Sequence, residues 1–297
     1  MTCYHPITAY QHRFLHSKNG KHLIDFKGGS YREWEEIQLP CGRCVGCRLD
    51  KSREWAVRCV HEALLHDKNC FITLTFNDDN LNEKGSLVKR DFVLFMKKLR
   101  KKFGSGIRFF HCGEYGSQFQ RPHHHAILFG FDFPDKVFWK LKNGHLLYRS
   151  SSLEKLWPYG FSSIGECNFE TCAYVARYVL KKVNGDMAEE HYAGREPEYV
   201  SMSRMPGIGH DWLLDNPEIY NYDEVVIRNN IKCRPPAYYD KIFGEMAPDY
   251  MEDIKLKRKE AAEDFYEKNR IVGRLEAKEQ FKLLQAAKLI RGYEKGD

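Results

Sequence analysis

Apolar positions along this chain recur with two different periods, and the switches between them mark its elements. In LDKSREWAVRCVHEALLH (49–66) Trp55, Cys59 or Val60, Ala63 and Leu64 return at helical spacing, which predicts an amphipathic helix. CFITLTF (70–76) is a short run of β-formers and reads as a strand. RDFVLFMKKLRKKFG (90–104) returns to the helical period with a basic face, whereas IRFFHCGEY (107–115) and HHHAILFGF (123–131) read as two more strands. ETCAYVARYVLKKV (170–183), which follows FSSIGECNF, is helical in pattern. After about Asp249 the chain becomes rich in Glu, Lys and Ala with scattered Leu and Ile, predicting one or two long, mostly solvated helices. A charged extension packing on the domain is the expected role there, ahead of a contact to DNA or a partner protein. No internal repeat or low-complexity linker interrupts the pattern.

Composition narrows the class without choosing a function. The 297 residues carry 47 Lys and Arg against 41 Asp and Glu, a formal charge of +6, compatible with a phosphate-backbone partner and equally ordinary for a soluble protein. Hydrophobic residues at 42% and aromatics at 14% exclude a disordered chain. No apolar run approaches the roughly eighteen residues that span a bilayer, so no membrane partner is expected. The start, MTCYHPITAYQHRF, lacks an apolar signal core, so the expected location is a cytoplasm, with the ten cysteines as reduced thiols or metal ligands.

The chemistry concentrates in HCGEYGSQFQRPHHHAILFG. Strand alternation puts His123 and His125 on one face, roughly 7 Å apart at Cα, with His124 pointing the other way. If 107–115 and 123–131 form a hairpin, antiparallel pairing sets Glu114 opposite His123 and on the same face. Two imidazoles and a carboxylate leave open positions, which suits Mg²⁺ or Mn²⁺ as a Lewis acid better than a closed zinc site. A solvated His-rich hairpin end is the plainer alternative, made less attractive by Glu114 and the adjoining apolar strand. In AYVARYVLKK, Tyr174 and Tyr178 lie one helical turn apart, about 6 Å along the axis, with Lys181 and Lys182 in the next turn. Alone, such a pair is more often a core contact; beside a metal that polarises phosphate, a tyrosine can serve as nucleophile and Lys181 can stabilise developing charge. A third group is CGRCVGC, whose Cys41, Cys44 and Cys47 have the short spacing of thiolate metal sites. A fourth ligand is expected from Cys3, with Cys59 as a fallback, and zinc is favoured over an iron-sulfur cluster because the ferredoxin run would need cysteine where Lys51 stands. The Pro40-Cys41-Gly42-Arg43-Cys44 stretch fits half of the zinc-deaminase signature. No upstream His-x-Glu completes it, so that reading is excluded.

In order along the chain, FITLTF (71–76), RPHHHAILFG (121–130) and YVARYVLKK (174–182) resemble the three motifs of the HUH endonucleases. CYHPITAY, PCGRCVGCR and SRMPGIGHDW (203–212) resemble the replication initiators of small single-stranded DNA phages, the gokushovirus-like microviruses. His124 departs from the bulky apolar residue of the His-hydrophobe-His motif. The resemblance implies an α+β fold: a central antiparallel sheet of about five strands with flanking helices, plus an N-terminal cysteine-rich segment and charged C-terminal helices. It divides the chain into residues 1–66, a catalytic domain at 67–248 and an extension at 249–297. It also implies a nick at the viral origin in the double-stranded replicative form, a 5′ phosphate joined to Tyr174 or Tyr178, and rejoining of the released circle. Single-stranded and replicative-form origin DNA, host helicase and polymerase are the implied partners, and the cytoplasm of a bacterial host the implied place. Lys97, Lys98, Arg100, Lys101 and Lys102 form a basic helix end that can hold phosphates or be a solvated face. A non-enzymatic zinc-containing nucleic-acid-binding protein, and a plasmid replication or mobilisation nickase of the same chemistry, remain the competing readings.

Overall fold

The computed structural model describes residues 3–18, 22–27, 32–116, 119–177, 187–227, 230–269, 271 and 273–287. In chain order the elements are β1 (Ile7–His16), β2 (His22–Asp25), β3 (Trp34–Leu39), α1 (Val45–Leu64), β4 (Asn69–Phe76), α2 (Lys89–Phe103), β5 (Arg108–Tyr115) and β6 (Pro122–Phe129). They continue with β7 (Lys136–Lys142), β8 (His145–Ser150), α3 (Ser151–Leu156), β9 (Gly160–Glu166), α4 (Phe169–Arg177), α5 (Met187–Tyr192) and β10 (Tyr199–Met202). Last come α6 (His210–Asp215), β11 (Val225–Val226), β12 (Lys232–Cys233), α7 (Ala237–Met246), α8 (Pro248–Lys268) and α9 (Arg274–Ala287). No helix among the described residues is long and apolar enough to cross a membrane.

The chain divides into two compact units, one of Met1–Asp50 with Lys255–Leu289 and one around Lys51–Ile254. The first holds a three-stranded antiparallel sheet ordered β2-β1-β3. Its C-terminal helical residues pack with its N-terminal ones: Lys259 Nζ reaches Glu35 at 2.6 Å, and the His5 imidazole pairs with the Glu279 carboxylate.

The second unit is built on a seven-stranded sheet ordered β10-β5-β6-β4-β9-β8-β7, antiparallel at every pairing. The architecture is α+β with flanking helices, and the sheet is wider than the implied five strands because β10 adds one edge and the β7–β8 hairpin the other. Every residue of β6 is buried, as expected for a strand covered on both faces. On one face Ile72, Leu74, Ala126 and Leu128 pack against Phe92, Phe95 and Leu99 of α2 and against Leu153 and Trp157. On the other, Phe71, Phe110, Cys112, Ile127 and Phe129 pack against Ala56 and Cys59 of α1 and Cys172, Tyr174 and Val175 of α4. Alternation therefore decides which side chains of β6 meet α2 and which meet α4.

Candidate functional site

Register brings the histidines and the glutamate together. Glu114 of β5 pairs with His123 of β6, and Cys112 with His125, while on the other side of β6 Thr73 of β4 pairs with His125 and Thr75 with His123. These odd positions of β6 and β4 share the α4 face. His123, His125 and Glu114 are all buried. The Glu114 carboxylate bonds diagonally, its Oε1 accepting at 2.8 Å from Nε2 of His125 rather than from the directly opposite His123. The other His125 nitrogen, Nδ1, lies 3.0 Å from the Thr73 hydroxyl. His123 is oriented by its own turn: Nδ1 stands 2.7 Å from the Arg121 carbonyl. A carbonyl can only accept, so Nδ1 carries the proton, and in the neutral ring Nε2 is the lone-pair nitrogen, the tautomer a metal ligand needs. The rings of His123 and His125 are parallel, 3° apart in plane, with centroids 6.0 Å apart. Gly116, just past β5, leaves room for this arrangement, since a Cβ there would come within 2.9 Å of the His123 ring.

Tyr174 on α4 meets this group from above the sheet. Its ring stands edge-on to His125, centroids 5.2 Å apart at 87°, and edge-on to Phe71 at 6.0 Å. A cavity of about 530 Å³ opens beside it, lined by His123, His125, Glu114, Tyr174, Thr73 and Ser163 within and by Arg121, Phe119, Trp139, Lys140 and Phe161 toward the outside. Tyr178, Lys181 and Lys182 lie outside the described residues, so α4 is described only to Arg177.

The donor set is nitrogen and oxygen, chemically suited to Mg²⁺, Mn²⁺ or a similar ion. The His125–Glu114 spacing of 2.8 Å is close to that of neighbouring ligands on one ion, roughly 3 Å for bonds of about 2.1 Å. His123 stands farther off. Among the described residues, the group of three or more His, Cys, Asp or Glu whose ligand atoms all lie within 4.8 Å is a different one, Cys3, Cys41, Cys44 and Cys47.

His124 turns to the α2 face. Its Nδ1 lies 3.1 Å from Nε2 of His111, whose Nδ1 lies 2.9 Å from the Ser201 hydroxyl, and His111 stacks on Phe92 at 3.5 Å. Burial, then the neighbouring histidines, push His124 down to about 3 and His111 well below the usual imidazole range, so both are neutral core groups.

In the first unit, the four cysteines can hold a metal ion, and Cys3 supplies the fourth thiol. Cys59, the alternative fourth ligand, is wholly buried in the apolar core beneath α1. Cys41 and Cys47 Sγ are 4.0 Å apart. Burial raises the Cys41 thiol, but the amides of Cys44 and Arg43 more than offset it and bring it to about 7.

Two features escaped sequence reasoning. Thr73 belongs to a strand identified from its apolar residues, and its hydroxyl becomes meaningful only through cross-strand register. The β7–β8 hairpin, which brings Trp139 and Lys140 to the cavity, was signalled by Asn143-Gly144: both have positive φ, +50° and +80°, as a two-residue hairpin turn demands.

The sequence profile of a family of replication-associated proteins, the ORF2 type, matches residues 69–183, which run from β4 through α4. Replication-associated protein VP4 of Bdellovibrio phage phiMH2K is 31% identical over 246 residues, covering 78% of this chain and 77% of that protein. Replication-associated protein ORF2 of Spiroplasma virus 4 is 31% identical over 284 residues, covering 88% and 87%. Replication-associated protein ORF4 of Chlamydia phage 1 is 26% identical over 251 residues, covering 77% and 60%. No solved structure matches.

Proposed function

This chain belongs to the phage replication-associated proteins, and on that premise we propose that it initiates rolling-circle replication as a DNA nicking and joining enzyme. The observation that carries the reading is the meeting of Tyr174 with His125, Glu114 and His123 at one cavity. His123, His125 and Glu114 would hold a divalent cation, Mg²⁺ or Mn²⁺, which when bound supplies Lewis-acid polarisation of the scissile phosphate.

The remaining work falls to the chain itself. The phenol oxygen of Tyr174, or of Tyr178 one turn on, attacks phosphorus; the tyrosine O–P bond forms as the bond to the 3′ oxygen breaks. The products are a free 3′ hydroxyl and a 5′ phosphotyrosine, and the phenol proton passes to a base or to water. Because the phosphodiester energy is retained, reversal of the step by a 3′ hydroxyl rejoins the strand without ATP. Thr73 and the Arg121 carbonyl position the two imidazoles. Lys181 is proposed to stabilise charge on the phosphate.

The DNA path is proposed to cross the β7–β8 hairpin. Every residue of β7 but Lys142 is exposed, including Val137, Phe138, Trp139 and Leu141, and Lys140 Nζ lies 3.9 Å above the Trp139 ring. With exposed Phe161 and Phe119 at the same cavity, this is the pairing of stacking faces and cations that suits single-stranded DNA. Origin DNA, single-stranded and in the replicative form, is the partner, with host helicase and polymerase extending the 3′ end in the bacterial cytoplasm.

The test is a nicking assay on supercoiled origin DNA. Mn²⁺ should support conversion to open circles, EDTA should abolish it, and joint His123→Ala and His125→Ala substitution should slow it on the order of 100-fold or more. Equal DNA binding in EDTA with no nicking in any metal would sink this reading in favour of a non-enzymatic binding protein.

A further inference from the structure

Outside the catalytic cavity, one group of side chains has no part in that chemistry. Cys3 lies just before β1, Cys41 just after β3, and Cys44 and Cys47 at the start of α1, yet one sulfur from each lies within 4.8 Å of all the others. The chain approaches them as it approaches bound thiolates. Amide N–H groups of Arg43 and Cys44 donate to Cys41 Sγ at 3.4 and 3.3 Å. Those of Cys47 and Tyr4 donate to Cys44 Sγ at 3.5 and 3.4 Å, and that of Cys41 to Cys3 Sγ at 3.3 Å. Such bonds stabilise negative sulfur, and the N-terminus of α1 adds its dipole. Four uncompensated thiolates at this spacing would repel one another, so the arrangement calls for a cation at its centre.

We propose that Cys3, Cys41, Cys44 and Cys47 bind one Zn²⁺ in a closed tetrahedral site that pins the N-terminal segment and the end of β3 to the start of α1. Tetrahedral Zn–S bonds of about 2.3 Å put neighbouring sulfurs somewhat under 4 Å apart. The 4.0 Å between Cys41 and Cys47 is near that value already. An iron-sulfur cluster attaches its thiolates to different irons and holds them farther apart, which this spacing disfavours. Four protein ligands leave no position for substrate or water, so the ion is structural. The inference is independent of the nicking chemistry, because none of its ligands is proposed to take part in that reaction.

The experiment is metal analysis of the full chain purified without chelator, paired with cobalt substitution. The expected result is about one zinc per chain, released by a mercurial that consumes four thiols. Cobalt-loaded protein should show thiolate-to-cobalt charge transfer and the intense visible bands of tetrahedral coordination. Cys44→Ser and Cys47→Ser should each lose the zinc, whereas Cys59→Ser and the His123→Ala, His125→Ala double variant should keep it. The cobalt spectrum of the unsubstituted chain decides the matter even if a cysteine variant misfolds. Zinc below about a tenth of an equivalent with no cobalt-thiolate bands, iron with acid-labile sulfide, or zinc lost only in the histidine variant would each overturn the proposal.

Discussion

His124 stands between two proposed metal ligands and does a different job from either. Strand alternation turns it into the α2 face, where it pairs with His111, and its Nε2 has no hydrogen-bond partner. The unfolded chain protonates such imidazoles near pH 6.5, but the folded chain does so only far lower, about 3 for His124. Between those limits the unfolded state binds more protons, so folded stability falls as pH drops; above about pH 6.5 both states are neutral and the effect vanishes. Urea denaturation at pH 7 and pH 5 should therefore show a loss that the His111→Leu, His124→Leu double variant shares less, by up to about 2 kcal/mol for each histidine. An unchanged pH dependence in that variant would refute the assignment. Thr73 gives a second prediction: Thr73→Val removes the hydroxyl that orients His125 and should weaken activating-metal affinity about 10- to 100-fold, measured as the Mn²⁺ concentration for half-maximal nicking, with folding intact. The His123, His125 and Glu114 grouping was legible in sequence because period-two alternation fixes faces. That Glu114 bonds His125 rather than its opposite neighbour was not, since it depends on side-chain reach across the ladder.

Among the elements, legibility followed burial. β4, β5 and β6 carry dense apolar residues because helices cover both their faces, and their patterns stand out accordingly. β1 buries only Ala9 and His12, and β2 buries nothing, so the three-stranded sheet of the first unit leaves little apolar signature. β10 is four half-buried residues that add to the sheet edge through β5. The β7–β8 hairpin inverts the usual rule, with apolar side chains in solvent, and its turn residues rather than its periodicity betray it. Exposed aromatics of this kind mark an interaction surface. Trp139→Ala should cost about 1–3 kcal/mol in single-stranded DNA affinity, read by fluorescence anisotropy, while cleavage at saturating DNA stays within about threefold. Unchanged affinity would remove the hairpin from the DNA path. On α2, Phe92, Phe95, Met96 and Leu99 face the core, leaving Lys97, Lys98, Lys101 and Lys102 on the outer side, where a solvated face accounts for them as well as a phosphate contact does.

At the scale of the molecule, the catalytic proposal draws on a contiguous part of the chain, β4 through α4, and that is the part the family profile matches. The sequence motifs were readable because they are local to those elements, whereas the division into two units joins residues near opposite ends of the chain and has no local signature. The central claim is that a tyrosine of 174 or 178 carries the DNA. Arg177 separates the two, so trypsin leaves Tyr174 on the peptide 156–177 and Tyr178 on the peptide 178–181. The most direct measurement is mass spectrometry of those peptides after reaction with origin DNA and Mn²⁺ and nuclease trimming of the bound strand. The expected result is a 5′-phosphonucleotide on one or both, absent in EDTA and absent when both tyrosines are phenylalanine. A nicked strand with a free 5′ phosphate and both peptides unmodified would contradict the account.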